Sequence, residues 1–443
     1  MKRHIVGWLF GIVFIVFMSQ CNGFKKIENV FKSQTPYEKY AETLKKAGLD
    51  NNLLGRNWLS AGVNAFHDSL LINLPYVESG FFSADNPDAR VFNFLAQEGT
   101  LLQVNLEFGG DTATKIFVDL YKRNEEWKPA HVQSAEKDTT GFQYEIKGTG
   151  VYSLRVQPEL LAQGFFELSL QTSAIYAFPV MGKNYRAIGS VFGDPRDNGR
   201  RKHEGVDIFA VKGTPVIAAV DGRITRVQER GLGGKVIWQW DNDRNNSLYY
   251  AHLDSQLVTP GQWVNVGDTI GLLGNTGNAR FTPPHLHFGV YKRGYGARDP
   301  YPFLHQVELL PVNLTEKHSF INSWQMVTSK IANIRQSPVS NASIIGQVDK
   351  HTPLYIHGAT KDWYRIILPD QTHGYIHQSL LAEIGQPIAN ISVPDKIAVL
   401  EDFTNEWSVI GFLEPESDLP VLGRYLNYLF VSFNGRNGWI NQP

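Results

Sequence analysis

Apolar and polar positions alternate along much of this chain with the two-residue period of half-buried β-strands. Between about residues 50 and 175, the runs VFNFLAQ, TLLQVNLEF, KIFVDLYKR, GVYSLRVQP and FFELSLQT alternate or concentrate β-branched and aromatic residues. Such runs suit a pleated surface packed on one face. FGGD, KDTTGF and KGTG separate them as turns. The pattern predicts an antiparallel β-sandwich over residues 51–175. A helical period surfaces once before it. After a polar tether starting at residue 22, Tyr37, Ala41 and Leu44 of YEKYAETLKKAGL, with Gly48 as a stop, predict one short amphipathic helix before residue 50. Within the sandwich, His67 and His131 stand isolated, and no cluster of reactive side chains is legible.

After residue 175 the strands become short and glycine-punctuated. PVIAAVDGRITRV and QWVNVGDTIGLLG predict a compact antiparallel sheet over residues 176–305. Residues 306–324 lack periodicity and form a linker. Beyond them lies an internal repeat. IIGQVDKHTPLYIHGATKDWYRIIL, from Ile344, aligns with VIGFLEPESDLPVLGRYLNYLFVSF, from Val409. Gly346 matches Gly411, Leu354 matches Leu419, and Gly358 matches Gly423; the copies end on Gly374-Tyr375-Ile376 and Gly438-Trp439-Ile440. Two small β-barrels are predicted, over 325–385 and 386–443. Trp363, Tyr364 and Tyr375 are candidates either for stacking on a ligand or for core packing. His351, His357, His373 and His377 are scattered over different strands and are expected at the surface rather than in a second metal site. The fold class that follows is mainly β.

Composition narrows this picture. A chain of 443 residues is too long for one core, and 42% hydrophobic with 12% aromatic residues is enough for several. A net charge of −1 leaves no electrostatic footprint for nucleic acid. At the N-terminus, Lys2 and Arg3 precede an uncharged apolar run over residues 5–18, short of the ~20 residues a spanning helix needs. Residues 1–21 are therefore expected to be a secretory signal. The single cysteine, Cys21 in FMSQC, follows it directly. That placement resembles a bacterial lipoprotein site, which would leave a chain starting at a lipidated Cys21 and tied to a membrane; the competing reading is an ordinary signal with an incidental cysteine. Without Cys21 no thiol remains, as suits an exported protein held together by burial rather than disulfides.

The candidate chemistry is concentrated in three short runs. HEGVD holds His203 and Asp207, YAHL holds His252, and PHLHF holds His285 and His287. Residues i and i+2 of a strand share a face, so His285 and His287 aim two imidazoles at one place. Nitrogen, nitrogen and oxygen ligands with a fourth position left for water are the arrangement of a catalytic zinc; a closed structural site would want four protein ligands, usually with cysteine. Arg196, Arg200, Arg201 and Lys202 precede His203 and raise the local positive potential, favouring an anionic substrate. Tyr249 and Tyr250 are expected to pack, with one hydroxyl available to substrate, and Asn275 and Thr276 are expected in a turn. No HExxH run supplies a glutamate base.

In their types, order and spacing these runs, with GTPVIAAVDGRI and VNVGDTIGLLGNTG around them, resemble the M23 (LytM/lysostaphin-type) zinc metallopeptidase family over roughly residues 177–305. Pro283 stands where the family pattern has glycine. The resemblance implies Zn²⁺ held by His203, Asp207 and His287, catalytic roles for His252 and His285, and a peptidoglycan peptide as substrate. ANIRQSP before the first C-terminal copy and GYIHQSLL closing it resemble a bacterial SH3-type domain, which implies wall binding; the second copy lacks the NxRxxP entry. The function expected is a zinc-dependent endopeptidase cutting peptide cross-links or stems of peptidoglycan. The alternative is a non-catalytic regulator or wall-binding scaffold for other hydrolases. The expected location is the cell envelope, lipid-anchored on the periplasmic face of the outer membrane. The upstream sandwich raises a further expectation, that it covers the groove. Oligomeric state is not legible.

Overall fold

The computed structural model describes residues 34–111, 113–306 and 318–442. The signal segment with Cys21, and residues 307–317 of the linker, lie outside them. The described chain is mainly β, as the alternation predicts, and its strands form several sheets, none of which closes on itself.

The N-terminal helical region is larger than expected. Helix Pro36–Lys46 starts at Thr35, whose side chain accepts from the Glu38 N–H while the Glu38 carboxylate accepts from the Thr35 N–H. A second helix, Leu53–Asn64, occupies sequence assigned above to the start of the sandwich. Asn52 caps it, accepting from the Gly55 N–H at 2.8 Å. It had to form to bury Trp58, which stacks on Tyr37 at 5.1 Å, meets Phe117 edge-on and donates to the Pro158 carbonyl at 2.8 Å. The residues it buries are Gly55, Trp58 and Gly62, and two glycines among three weaken both the apolar signal and the helix propensity that sequence alone would offer.

The sandwich follows. One sheet runs in the order Leu71–Ile72, Arg90–Ala96, Gly150–Pro158, Ile116–Arg123, Pro129–Ser134. Facing it are Tyr76–Phe82, Gly164–Ala174, Thr100–Phe108 and Phe142–Glu145, with Leu102, Leu120, Leu154 and Phe166 fully buried between the layers. The second sheet does not end there. Tyr76–Phe82 pairs with Pro353–Thr360 of the first C-terminal copy, Ser79 opposite Ala359 and Gly80 opposite Gly358. Tyr375 of that copy is buried in the sandwich core, and Phe81 of the sandwich packs into the core of the copy. Tyr375 and Tyr364 are thus core residues, and Trp363 packs half-buried against the sandwich core.

This seam also corrects the expectation for His357. It is buried, not at the surface, and its Nε2 lies 2.9 Å from Asp88 Oδ2, while Arg90 donates to the His357 carbonyl at 2.7 Å. Arg365, 2% exposed, donates to Asp68 and to the Val91 carbonyl. His357 and His373 come within 5.7 Å of each other, ring to ring, but together with acids that neutralise arginines rather than around a common ligand position.

The central region carries the candidate chemistry on a sheet in the order Ile188–Ser190, Val206–Phe209, His285–Lys292, Asn246–Leu253, Lys235–Asp241, Gly222–Glu229, Trp263–Val264. One face is core: Ile208, Ile237, Leu248, Tyr250, Leu286 and Phe288 are fully buried. The other face holds the histidines. The sandwich docks at the far end of this sheet, through Arg244–Glu145 at 3.0 Å and Lys292–Glu98 at 2.5 Å. The second C-terminal copy is a six-stranded sheet with its own core around Val399, Val431 and Ile440.

Candidate metal centre

His287 sits on the strand His285–Lys292 directly opposite Asp207 of Val206–Phe209, and His285 sits opposite Phe209. The even spacing in HLH therefore does as predicted and puts both rings on one face. His203 arrives from the other side, at the end of the hairpin formed by Pro195–Arg196 and Arg201–Lys202. Gly205 is required between the ligands, since a Cβ there would stand 2.7 Å from two atoms of the His287 ring and 2.5 Å from the Phe288 carbonyl oxygen.

Three ligand atoms converge. His203 Nε2 lies 2.9 Å from His287 Nδ1, and Asp207 Oδ1 lies 3.1 Å from each. Ligands about 2.0–2.2 Å from a tetrahedral zinc stand roughly 3.3 Å apart, close to these edges. The hydrogen bonds behind the rings orient them. His203 Nδ1–H donates to the Val191 carbonyl at 2.8 Å, leaving the Nε2 lone pair for a metal. The second carboxylate oxygen of Asp207 accepts from Arg196 Nη2 at 2.7 Å, and Arg196 also donates to Ser190. Burial opposes ionisation of Asp207, but the facing imidazoles of His203 and His287 outweigh it and hold the carboxyl well below the usual carboxylate range. Burial lowers His287 as well, keeping a neutral ligand ring. His203, Asp207 and His287 thus fit a divalent ion in donor type and spacing.

The other two histidines flank this cluster. His285 Nε2 is 3.9 Å from Asp207 Oδ1, and its Nδ1–H donates to the Pro283 carbonyl at 2.9 Å. His252 lies 5.0 Å from His285, ring to ring. Its Nδ1–H donates to the Thr276 carbonyl at 2.9 Å, and its backbone sits at φ 62°. Burial first, then the neighbouring His285 and His287, push His252 down to about 4. His252 therefore presents an unprotonated Nε2 at neutral pH. The turn holding Thr276 is a positioning device, as its hydroxyl also donates to the Leu253 carbonyl at 2.8 Å and accepts from the Lys235 N–H at 3.0 Å.

The cluster floors a cavity of about 580 Å³. Among the described residues, all that line it lie between Arg196 and Tyr291, so the lining contains no residue of the sandwich. Of the basic residues before His203, Arg196, Arg201 and Lys202 reach the lining. Tyr249 lines it too, while Tyr250 packs, its hydroxyl donating to Gln239 at 2.6 Å and accepting from the Ala219 N–H at 3.0 Å. The role of Arg196 as the clamp on Asp207 escaped sequence reasoning, because nothing local distinguishes it from its basic neighbours.

A mainly-β scaffold thus presents an N,N,O donor set that could hold a metal ion at an open groove, with two further imidazoles beside it. Residues 201–300 match Peptidase family M23, and residues 331–382 match the bacterial SH3 domain. The chain carries an M23 domain followed by an SH3 domain of that type. It is similar to an L-Ala--D-Glu endopeptidase of Bacillus subtilis, 38% identical over 142 residues, covering 29% of this chain and 43% of the relative. Similarity to the peptidoglycan DD-endopeptidase ShyC of Vibrio cholerae is 38% over 97 residues, 21% of each chain. Among solved structures, the catalytic domain of lysostaphin from Staphylococcus simulans is 35% identical, covers 26% of this chain and 89% of that chain, and has a TM-score of 0.24. The chain spans less than half the length of these curated relatives.

Proposed function

We propose that this chain is an exported zinc endopeptidase that hydrolyses peptide bonds in the cross-links or stems of bacterial peptidoglycan. The observation that carries the reading is the convergence of His203 Nε2, Asp207 Oδ1 and His287 Nδ1 within 3.1 Å of one another, with His252 and His285 beside them. The names of the relatives supply the substrate class. Zinc at this place supplies Lewis-acid polarisation of the scissile carbonyl and a water acidified toward neutrality.

The rest is the work of this chain's own groups. His203, His287 and Asp207 would hold the ion, and Arg196 fixes the carboxylate orientation. His285, whose Nε2 lies 3.9 Å from Asp207 Oδ1, takes the proton of the attacking water at that nitrogen and returns it to the leaving amine. His252, kept neutral by burial, lines the same cavity beside His285. The groove lies open, which supports an enzyme that needs no displacement of the sandwich. The complete set of five residues supports catalysis over a purely regulatory role. At the N-terminus, the sequence around Cys21 supports lipid anchoring in the cell envelope, on the periplasmic face of an outer membrane.

The test pairs metal analysis with product analysis. Purified protein is expected to hold about one zinc per chain and to release soluble muropeptides from peptidoglycan sacculi. His203→Ala and His287→Ala should lose both zinc and release. Full release by His287→Ala protein would sink the assignment, and zinc retention with no cleavage by the unaltered protein would favour the regulator.

A further inference from the structure

The sheet face that bears the metal cluster continues past it as an aromatic surface. Register places Ala251 opposite His287, Tyr249 opposite Gly289 and Ser247 opposite Tyr291; on the next strand Trp238 lies opposite Tyr249 and Trp240 opposite Ser247. Cross-strand partners share a face, so His287, Tyr249, Tyr291, Trp238 and Trp240 all lie on the same side of the sheet. The rings form a chain: Tyr249 is 5.8 Å from His287, Trp238 is 4.4 Å from Tyr249 and 5.3 Å from Tyr291. All four aromatic residues are half-buried rather than covered.

Gly289 helps keep the surface level, because a Cβ there would come within 2.8 Å of the Tyr291 ring. A shallow cavity of about 420 Å³ lies over this surface, lined by Trp238, Trp240, Ser247, Tyr291, Lys292 and Arg293. Tyr291 also lines the metal groove, so the two cavities adjoin. Core packing does not account for the arrangement, since the core of this sheet is on its opposite face.

We propose that this surface is a saccharide subsite that holds pyranose rings of the glycan strand while the attached peptide enters the metal groove. The axial C–H groups of a pyranose carry partial positive charge and suit the negative faces of indole and phenol rings. The hydroxyl of Ser247 and the cationic end of Arg293 border the rings and can hydrogen-bond ring hydroxyls and acetamido oxygens, while the Lys292 ammonium is taken up by Glu98. A shallow aromatic surface with a polar rim offers no deep pocket for a peptide side chain, which favours sugar over peptide here. Continuity through Tyr291 gives the occupant its place: the same polymer molecule spans both cavities. This inference rests on the peptidoglycan reading above.

The test uses the full chain and two substrates, cross-linked peptide dimers carrying their disaccharides and the same dimers stripped of sugar. The unaltered protein is expected to prefer the sugar-bearing dimer. Trp240→Ala should lower kcat/KM on that dimer about ten-fold and bring the ratio of the two values toward one. Trp240→Leu, which keeps apolar bulk without a ring face, should do the same and guards against a folding defect. Calorimetric titration with tetra-N-acetylchitotetraose should give heat with the unaltered protein and none with Trp240→Leu. No preference in the unaltered protein, or equal loss on both dimers in the variants, overturns the subsite; equal loss would mean that the face holds peptide. If neither dimer is cleaved, the endopeptidase reading fails, while chitotetraose binding still decides the saccharide site.

Discussion

Arg196 donates to the outer oxygen of Asp207 at 2.7 Å while the inner oxygen faces both ligand imidazoles. A carboxylate clamped in this way cannot rotate away from the ion position, so the clamp contributes to metal affinity without touching the metal. Arg196→Ala is expected to weaken zinc binding by about 10–100-fold, measured by competition with a chelator, and to leave the fold intact because the side chain is partly exposed. An unchanged zinc affinity would reduce the contact to an ordinary ion pair. That His285 and His287 share a face was legible in the sequence because alternation along one strand is a local property, whereas His203, Asp207 and His252 were singled out through the family resemblance. Arg196 was not, since its partner is set by a hairpin whose register is visible only in three dimensions.

Turns carry a different share of the site. Gly277 sits at φ 72°, and a Cβ there would stand 2.3 Å from the Leu232 carbonyl oxygen and 2.5 Å from Gly234 N. Two turns are thereby pressed together, one holding Thr276 and the other preceding Lys235. The Thr276 carbonyl accepts from His252, so the packing of these turns fixes the tautomer of that ring. Gly277→Ala should destabilise the protein by about 1 kcal/mol or more and lower turnover with zinc content unchanged, read by thermal unfolding, metal analysis and muropeptide release. Wild-type turnover would mean that His252 does not depend on this turn. A comparable use of glycine recurs in the C-terminal repeats. Gly358 and Gly423 each follow a register shift, and each admits a neighbouring unit: Glu78 and Ser79 of the sandwich lie against Gly358, and His351 and Pro353 of the first copy against Gly423. The internal alignment of the repeats therefore marked docking points as well as strands.

Over the whole molecule, the sandwich and the first C-terminal copy share a sheet and a buried layer of charge. Burial opposes ionisation of Asp68, yet Arg365 and His373 outweigh it; for Asp88, Arg90 and His357 do the same, so both carboxyls are held below their usual range. Burial, then Arg90, pushes His357 down to about 3. The unfolded chain would bind a proton at His357 below about 6.5 and at the two acids below about 4. In each window it binds protons that the folded chain excludes at these three groups, so their contribution to stability is full above about pH 6.5 and falls as pH drops through both, while Glu78, raised by burial, acts in the opposite sense. Thermal unfolding followed from pH 7 to 3 should show this decline, and His357→Gln should flatten the portion between about 6.5 and 4. A His357→Gln profile that parallels the unaltered one would show that the histidine does not set the acid sensitivity. The described helices include none long and apolar enough to cross a membrane.

Alternation and glycine punctuation were sufficient to determine a mainly-β chain, because strand periodicity acts over a few residues, and the resemblance of three short runs to a known family singled out the side chains that the fold brings together as a candidate metal cluster. Tertiary structure alone decided that Leu53–Asn64 is a helix, that His357 is interior, that Arg196 clamps Asp207, and that the sandwich continues through strand pairing into the first C-terminal copy. Each of these depends on a partner distant in sequence, such as Phe117 for Trp58, Asp88 for His357 or Ser79 for Ala359. Burial and strand-edge pairing are properties of the assembled surfaces, and no window of sequence contains both sides of such a contact.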